Sequence, residues 1–356
     1  MSDIPAQFTG LAAYSTPQTK ESMDLKPHSY TPRKFTEADV IVKVICCGLC
    51  GSDSGGICSA GSNTPGIFGH EIVGTVVRAG TKSGHSVGDR VGFGAQQSSC
   101  HTCYNCKTGH ENFCPKKKFS IQSPLDDEVQ PFAQGGFADY FQAEGAFAVP
   151  IPDGLDSSIA APMLCGGATV FGPLKYAGIG KGSNVGIIGM GGLGHLGLSP
   201  LLIQFAAALG ADVYAFSTST SKKDDALSLG AKDVLVISDK DALKEKYTGF
   251  FDLIISTSGA AGQPFVDLYL PLLRFRGELV LVGLTPDKME LGMYNLQAKK
   301  VSSWSTGSPS DIREMLDVAV KHGVKTWIEE RPMKDLGKAV VDLLDGKARY
   351  RYVLVN

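Results

Sequence analysis

Four cysteines crowd into fifteen residues: Cys100, Cys103, Cys106 and Cys114. Four thiolates so spaced can wrap one tetrahedral ion, at about 2.3 Å per Zn–S bond. All four positions are thiolate, so no coordination place stays open for a substrate, and a closed, structural zinc is the reading. A disulfide pair or an iron–sulfur cluster would be the competing explanations. The chain holds nine cysteines, an odd number, and opens on MSDIPAQFTG, which has no basic stretch followed by an apolar run. Both observations count against a disulfide framework. The spacing also differs from the ferredoxin runs.

A second set is dispersed: Cys50, then His70 and Glu71, then Cys165. Two thiolates and one imidazole leave a fourth position open, as a catalytic zinc requires. Adjacent His and Glu on a regular strand would face opposite sides. At a bend where a strand begins, both can turn to one metal, with Glu71 either ligating or sitting just behind. Taken singly, each of these residues is weak; a lone buried cysteine is usually a small apolar residue.

The third signal is Gly189-Met190-Gly191-Gly192-Leu193-Gly194, a G-x-G-x-x-G match. It carries weight only if it follows a strand and opens a helix, because the helix N-terminus must then face the phosphates with unpaired N–H groups. The flanking sequence predicts that arrangement. NVGIIG (184–189) is a short apolar run, a long apolar segment continues to Leu209, and DVYAF (212–216) is a second strand. An NAD site would place Asp or Glu at the end of that second strand. Here Ser217, Thr218, Ser219, Thr220 and Ser221 are followed by Lys222 and Lys223, with no acid before Asp224. Hydroxyls leave room for a 2′-phosphate and the lysines balance its charge, so NADP(H) is favoured. The alternative for the lysines is a solvated helix start.

These groups need elements to hold them. Residues 8–110 read as mostly short strands broken by Gly and Pro, among them 40–48, 71–80 and 88–95. After Pro150-Ile151-Pro152 strands alternate with helices: strands at 233–237, 251–257 and 277–283, and a helix at 221–230. That alternation predicts a doubly wound α/β domain. Helices at 309–322 and 334–345 and a closing strand follow. Pro200 falls inside the helix expected after the glycine motif. The formal net charge is −2, which argues against a nucleic-acid-coating or polybasic membrane protein. No apolar run reaches about 18 residues. The expectation is a protein of the cytoplasm that engages neither nucleic acid nor membrane.

Together these residues resemble the zinc-dependent medium-chain alcohol dehydrogenases, and most of all the cinnamyl alcohol dehydrogenase branch with its broad-specificity NADP-dependent yeast members. The motifs that carry the resemblance are CGLCGSD (47–53), GHEIVGTV (69–76), the Cys100–Cys114 cluster, APMLCGGATV (161–170), GMGGLGH (189–195) and GKARYRYVLV (346–355). It implies an α/β protein with two domains. A GroES-like β-barrel catalytic domain would span 1–160 and 302–356, with a structural zinc lobe near 96–118. A Rossmann coenzyme domain would span 161–301. It implies two zinc ions per chain, NADP(H), interconversion of aldehydes and primary alcohols (aromatic or medium-chain aliphatic), and a homodimer. Cys50, His70 and Cys165 match catalytic zinc ligands, Glu71 a nearby carboxylate, and Asp53 a partner orienting His70. Ser52 matches the hydroxyl that passes the substrate's proton. Gly189, Gly191, Gly192, Leu193 and Gly194 match the pyrophosphate turn. Ser217, Thr218 and Lys222 match the 2′-phosphate pocket, and Arg351 a basic residue on the cofactor phosphates. Two departures stand out. The family often has His two residues after the Asp, where this chain has Gly55. Close relatives carry Arg where Thr218 stands. Conjugate reduction of a C=C bond is the competing reaction: the intact ligand set counts against it, and the lost relay His keeps it open. A zinc-ribbon binding module is a non-enzymatic alternative, disfavoured by the charge and the glycine motif. Ile57, Cys58, Gln97 and Trp304 are candidate substrate-pocket residues by resemblance alone. His195, beside the motif, reads as a helix-start residue.

Overall fold

The 39–48 strand, DVIVKVICCG, is buried at nearly every position. A run of β-branched and small apolar residues suits a strand covered on both faces rather than one that alternates. In the computed structural model, which describes residues 4–59, 61–189, 198–258, 263–283, 288–348 and 351–356, this strand organises the first of two compact units. That unit comprises residues 4–168, 306–320 and 326–356, apart from those outside the description; the second comprises 169–305 and 321–325.

In the first unit a seven-stranded sheet runs Val149–Pro150, Arg90–Phe93, Glu71–Ala79, Asp39–Gly48, Arg351–Val355, Ile328–Pro332, with Tyr140–Glu144 also pairing Asp39–Gly48. The pairs are antiparallel except Ile328–Pro332 with Arg351–Val355. Register sets Gly48 between Glu71 on one side and Val353 on the other. Two residues far apart in sequence thereby reach one point. The helix Gly51–Cys58 follows directly. Its composition, GSDSGGIC, is poor in helix formers, and no sequence signal marked it. It stands because Asp53 accepts from the Cys50 N–H at 3.0 Å and Ile57 is buried beneath it. The helical stretch Ser157–Leu164 leads to Cys165, which ends one 3₁₀ turn just before the helix Gly166–Tyr176. These helices were likewise unread.

In the second unit six parallel strands lie in the order Asp233–Val236, Asp212–Ser217, Asn184–Ile188, Phe251–Ser256, Leu273–Leu281, Lys300–Ser303. In chain order this is 3-2-1-4-5-6, the doubly wound order with its switch point between the first and fourth strands. An aromatic cluster fills one side: Tyr214 meets Phe251 at 5.6 Å and Phe216 meets Tyr269 at 5.1 Å. The helix Lys240–Tyr247 buries only Leu243 and Tyr247. Its sequence, KDALKEKY, carries too thin an apolar stripe to announce a helix. Among the described residues no single helix is long and apolar enough to cross a membrane.

Candidate functional site

Cys50, His70, Glu71 and Cys165 come together in the first unit. One ligand atom from each lies within 4.8 Å of the others. Cys50 sits at the N-cap of the helix Gly51–Cys58, where the helix end favours a thiolate. His70 lies at the bend before the strand Glu71–Ala79. The preceding Gly69 has φ +96°, and a Cβ there would press on Cys47 Sγ and the Phe137 ring, each at 2.9 Å. This bend lets adjacent His70 and Glu71 face one side, which a regular strand forbids.

Fully buried Asp53 sits behind the imidazole. Its Oδ1 is 2.8 Å from His70 Nδ1 and accepts from the Gly69 N–H at 2.9 Å. A carboxylate only accepts, so His70 donates through Nδ1 and presents Nε2 to the cluster. Nε2 lies 3.2 Å from Cys165 Sγ and 3.3 Å from Ser52 Oγ. Glu71 is wholly buried and its Oε1 accepts from Arg351 Nη2 at 2.9 Å. Its Oε2 has no hydrogen-bond partner among the described residues. Gly48 faces that oxygen, and a Cβ on it would collide with Oε2.

Burial alone would push the His70 imidazole down, and the Asp53 carboxylate overrides it, holding the group well above its usual range. Burial raises Glu71 to about 8, against the pull of Arg351. The hydrogen bond between the two thiols holds Cys50 well below the usual thiol range and Cys165 well above it. Two thiols, an imidazole and an orphaned carboxylate oxygen at this spacing fit a zinc-type cation. Such a cation favours the deprotonated donor set.

The second cluster has different geometry. Cys100 and Cys114 sulfurs are 3.5 Å apart, Cys103 and Cys106 3.5 Å, and Cys100 and Cys106 3.9 Å. Tetrahedral Zn–S bonds would set sulfurs about 3.8 Å apart, whereas a disulfide needs about 2.05 Å. All nine cysteines are free thiols. The Lys116 N–H donates to Cys114 Sγ at 3.3 Å, and the Cys100 N–H at 3.5 Å. Backbone N–H from Thr102 leads in lowering Cys100 to about 5, while burial raises Cys106 to about 12. His101 is bound to Glu144 at 2.7 Å and His110 to Thr108 at 3.1 Å, so neither competes as a ligand.

In the second unit Ser217 is buried at the end of its strand, Thr218 is exposed, and Lys222 immediately precedes the helix Lys223–Ser228. Lys223 is paired with Asp233 at 3.3 Å. Among the described residues Lys222 has no ion pair. Gly189 has φ +117°. Gly191, Gly192, Leu193, Gly194 and His195 lie outside the described residues.

Of the substrate-pocket candidates, Ile57 is buried and the Gln97 amide is spent on the Phe119 carbonyl at 2.8 Å. Trp304 packs on Tyr176 in the second unit. Cys58 is half-buried at the end of its helix. Cys46 and Cys47 are fully buried in the 39–48 strand, as strand packing would have them. The Glu71–Arg351 pair had no sequence signal, since 280 residues separate its members.

Residues 36–153 match the alcohol dehydrogenase GroES-like domain, and 197–321 match the zinc-binding dehydrogenase family. NADP-dependent alcohol dehydrogenase 6 of Saccharomyces cerevisiae is 35% identical, over 99% of this chain and 97% of its own. Among solved structures, a cinnamyl alcohol dehydrogenase from Sorghum bicolor is 34% identical with a TM-score of 0.86, covering 98% of this chain and 97% of that one. CAD from Helicobacter pylori, complexed with NADP(H), is 30% identical with a TM-score of 0.84, covering 99% of each.

Proposed function

The chain belongs to the zinc-dependent medium-chain alcohol dehydrogenase family, and on that premise we propose that it is an NADP(H)-dependent enzyme interconverting aldehydes and primary alcohols. The first unit is the catalytic one and the second binds the coenzyme. The observation that carries the reading is the convergence of Cys50, His70, Glu71 and Cys165, with Asp53 behind the imidazole.

Cys50, His70 and Cys165 hold the catalytic ion, with Glu71 beside it. Cys100, Cys103, Cys106 and Cys114 hold a second, structural one. Bound zinc supplies Lewis-acid polarisation of the substrate oxygen, and the nicotinamide supplies or accepts hydride. The protein's share is positioning and proton handling. Asp53 fixes the ring and tautomer of His70. Arg351 neutralises Glu71 and so lets a carboxylate stay buried beside two thiolates. Ser52, an exposed residue whose Oγ lies beside the cluster, takes the proton from an alcohol or returns it to a nascent alkoxide. Gly189, Gly191, Gly192, Leu193 and Gly194 seat the pyrophosphate. Ser217, Thr218 and Lys222 receive the 2′-phosphate. Arg351, besides holding Glu71, is the basic residue assigned to the cofactor phosphates.

Nine free thiols suit the reducing cytoplasm. A homodimer is supported by the strand Lys300–Ser303, which among the described residues lies at the edge of its sheet and pairs on one side only. Phe275, Met293 and Tyr294 of the same unit are 72%, 77% and 80% exposed. The deciding experiment is a panel of aromatic and medium-chain aliphatic aldehydes and one enal, run with NADPH and with NADH. The expected product from the enal is the allylic alcohol with its C=C bond intact, formed with higher kcat/KM from NADPH. A saturated aldehyde as the product would establish conjugate reduction instead.

A further inference from the structure

Ser99 has no task in the mechanism above. It follows the strand Gln96–Ser98, precedes the first thiol of the local cluster, and is buried. Its Oγ lies 3.3 Å from Cys106 Sγ. The same oxygen accepts the His101 N–H at 3.3 Å, which occupies a lone pair and leaves the single hydroxyl proton for another partner. Two acceptors are near it, Cys106 Sγ and His101 Nδ1, the latter at 3.5 Å. A bond to nitrogen at 3.5 Å is beyond the usual range, whereas sulfur is the larger atom and bonds from farther away. With an ion on the four sulfurs, Cys106 is a thiolate and can only accept. The proton in this contact is then the one Ser99 carries.

The neighbouring sulfurs draw on the backbone instead. Cys114 Sγ accepts from the Cys100 and Lys116 N–H groups at 3.5 and 3.3 Å, and the N–H groups of Thr102 and Cys103 hydrogen-bond Cys100. Among the described residues the hydrogen-bond contacts of Cys106 Sγ are other sulfurs of the cluster and the Ser99 hydroxyl. A half-buried thiolate without a donor is costly, so the charge on Cys106 depends on this one side chain. The hydroxyl is also aimed from a fixed frame. His101, which supplies the N–H to Ser99, has φ +55°, a region where glycine is free and a side chain costs energy. Its imidazole meets Glu144 at 2.7 Å, at the end of the strand Tyr140–Glu144. The strained residue is thereby fastened to the sheet.

We propose that Ser99 is a positioning residue for the lobe's ion: its hydroxyl donates to the Cys106 thiolate and slows the loss of metal from the four-sulfur set. The inference rests on the structural-zinc reading of that cluster. Groups that hydrogen-bond a metal ligand contribute about 10–100-fold in metal affinity. Among the described residues Ser99 hydrogen-bonds none of Cys50, His70 and Cys165, so the effect belongs to the lobe and not to turnover.

The test follows zinc release from the full-length protein to a chromogenic chelator. Melting temperatures and steady-state kinetics of the zinc-loaded forms accompany it, for wild type, Ser99→Ala, Ser99→Gly and Ser99→Thr. Wild type should show two releases, and Cys103→Ser, lacking the lobe's ion, identifies which one is the lobe's. Ser99→Ala should release the lobe's zinc about tenfold faster, with the other release and kcat within about twofold of wild type. Ser99→Thr restores the hydroxyl and should release the lobe's zinc within about threefold of wild type. If Ser99→Ala yields no folded protein, Ser99→Gly carries the same expectation. Unchanged release from the lobe with only a lower melting temperature overturns the proposal. Equal acceleration of both releases, or equal acceleration in Ser99→Ala and Ser99→Thr, overturns it as well. Wild type that holds only one zinc per chain overturns the closed-cluster reading itself, a distinguishable failure.

Discussion

The two cysteine clusters of the first unit use the same element for opposite ends. Cys100, Cys103, Cys106 and Cys114 lie on one short loop, and each donor is a thiol near backbone N–H groups or a neighbouring thiol. Nothing beyond that lobe is needed to close the set. Cys50, His70, Glu71 and Cys165 come from a helix cap, a strand bend and a 3₁₀ turn. They depend on buried supports, Asp53 and Arg351, that hydrogen-bond the donors. On the proposed metal assignment, a closed set would commit its ion to folding. An open, mixed set in a buried pocket spends folding on its metal, because a buried carboxylate and guanidinium are costly unless paired.

The sharpest way to break this contrast is Cys165→Ser. We expect turnover to fall by about 10³-fold or more, with the catalytic ion lost or displaced. NADPH binding and the melting temperature should change little. Metal analysis that finds the full native zinc content in this variant, with activity intact, would contradict the assignment. Ser52→Ala comes next, with an expected loss of about 10²-fold in aldehyde reduction and unchanged metal content. Full carbonyl-reducing activity in that variant would remove Ser52 from the proton path. Cys103→Ser probes the other cluster. Three thiolates grip the ion poorly, so the lobe's metal should be lost and stability should drop by several kcal/mol, about 3 or more. Activity per folded, catalytic-zinc-loaded molecule should fall far less than in Cys165→Ser; equal losses would erase the distinction between the clusters.

Two milder changes refine the picture. Ser217→Asp touches neither cluster and should shift preference from NADPH toward NADH by about tenfold or more, because a carboxylate repels the 2′-phosphate and pairs with ribose hydroxyls. Unaltered kcat/KM ratios for the two cofactors would place the phosphate pocket elsewhere. Gly55→His is the smallest. A Cβ at Gly55 meets nothing within 4 Å, so the added side chain starts into open space. It should alter the pH–rate profile near neutrality and change the rate by about a few fold. A profile superimposable on wild type would show that protons do not pass that way.

The local cysteine cluster, the strand–glycine–helix rhythm around 184–216 and the absence of an acid after Ser217 were legible because each is written in consecutive residues. The spacing of four thiols limits what they can surround, and a β-branched run ended by glycine favours a strand from its own residues. The dispersed cluster was nameable by resemblance, yet nothing in its spacing said that Cys165 would meet Cys50 and His70. That encounter depends on how the 39–48 and 71–79 strands pair and on where the helical stretch after Ser157 delivers Cys165. The helix Gly51–Cys58 escaped notice because its glycine-rich sequence opposes helix formation, and a tertiary bond set around Asp53 overrides propensity. The Glu71–Arg351 pair was invisible because 280 residues separate its members. Sequence alone determined which donors exist and which segments fold locally. Only the tertiary structure decided which buried polar atoms face one another, because hydrogen bonds and ion pairs are satisfied by neighbours in space, whatever the distance between them along the chain.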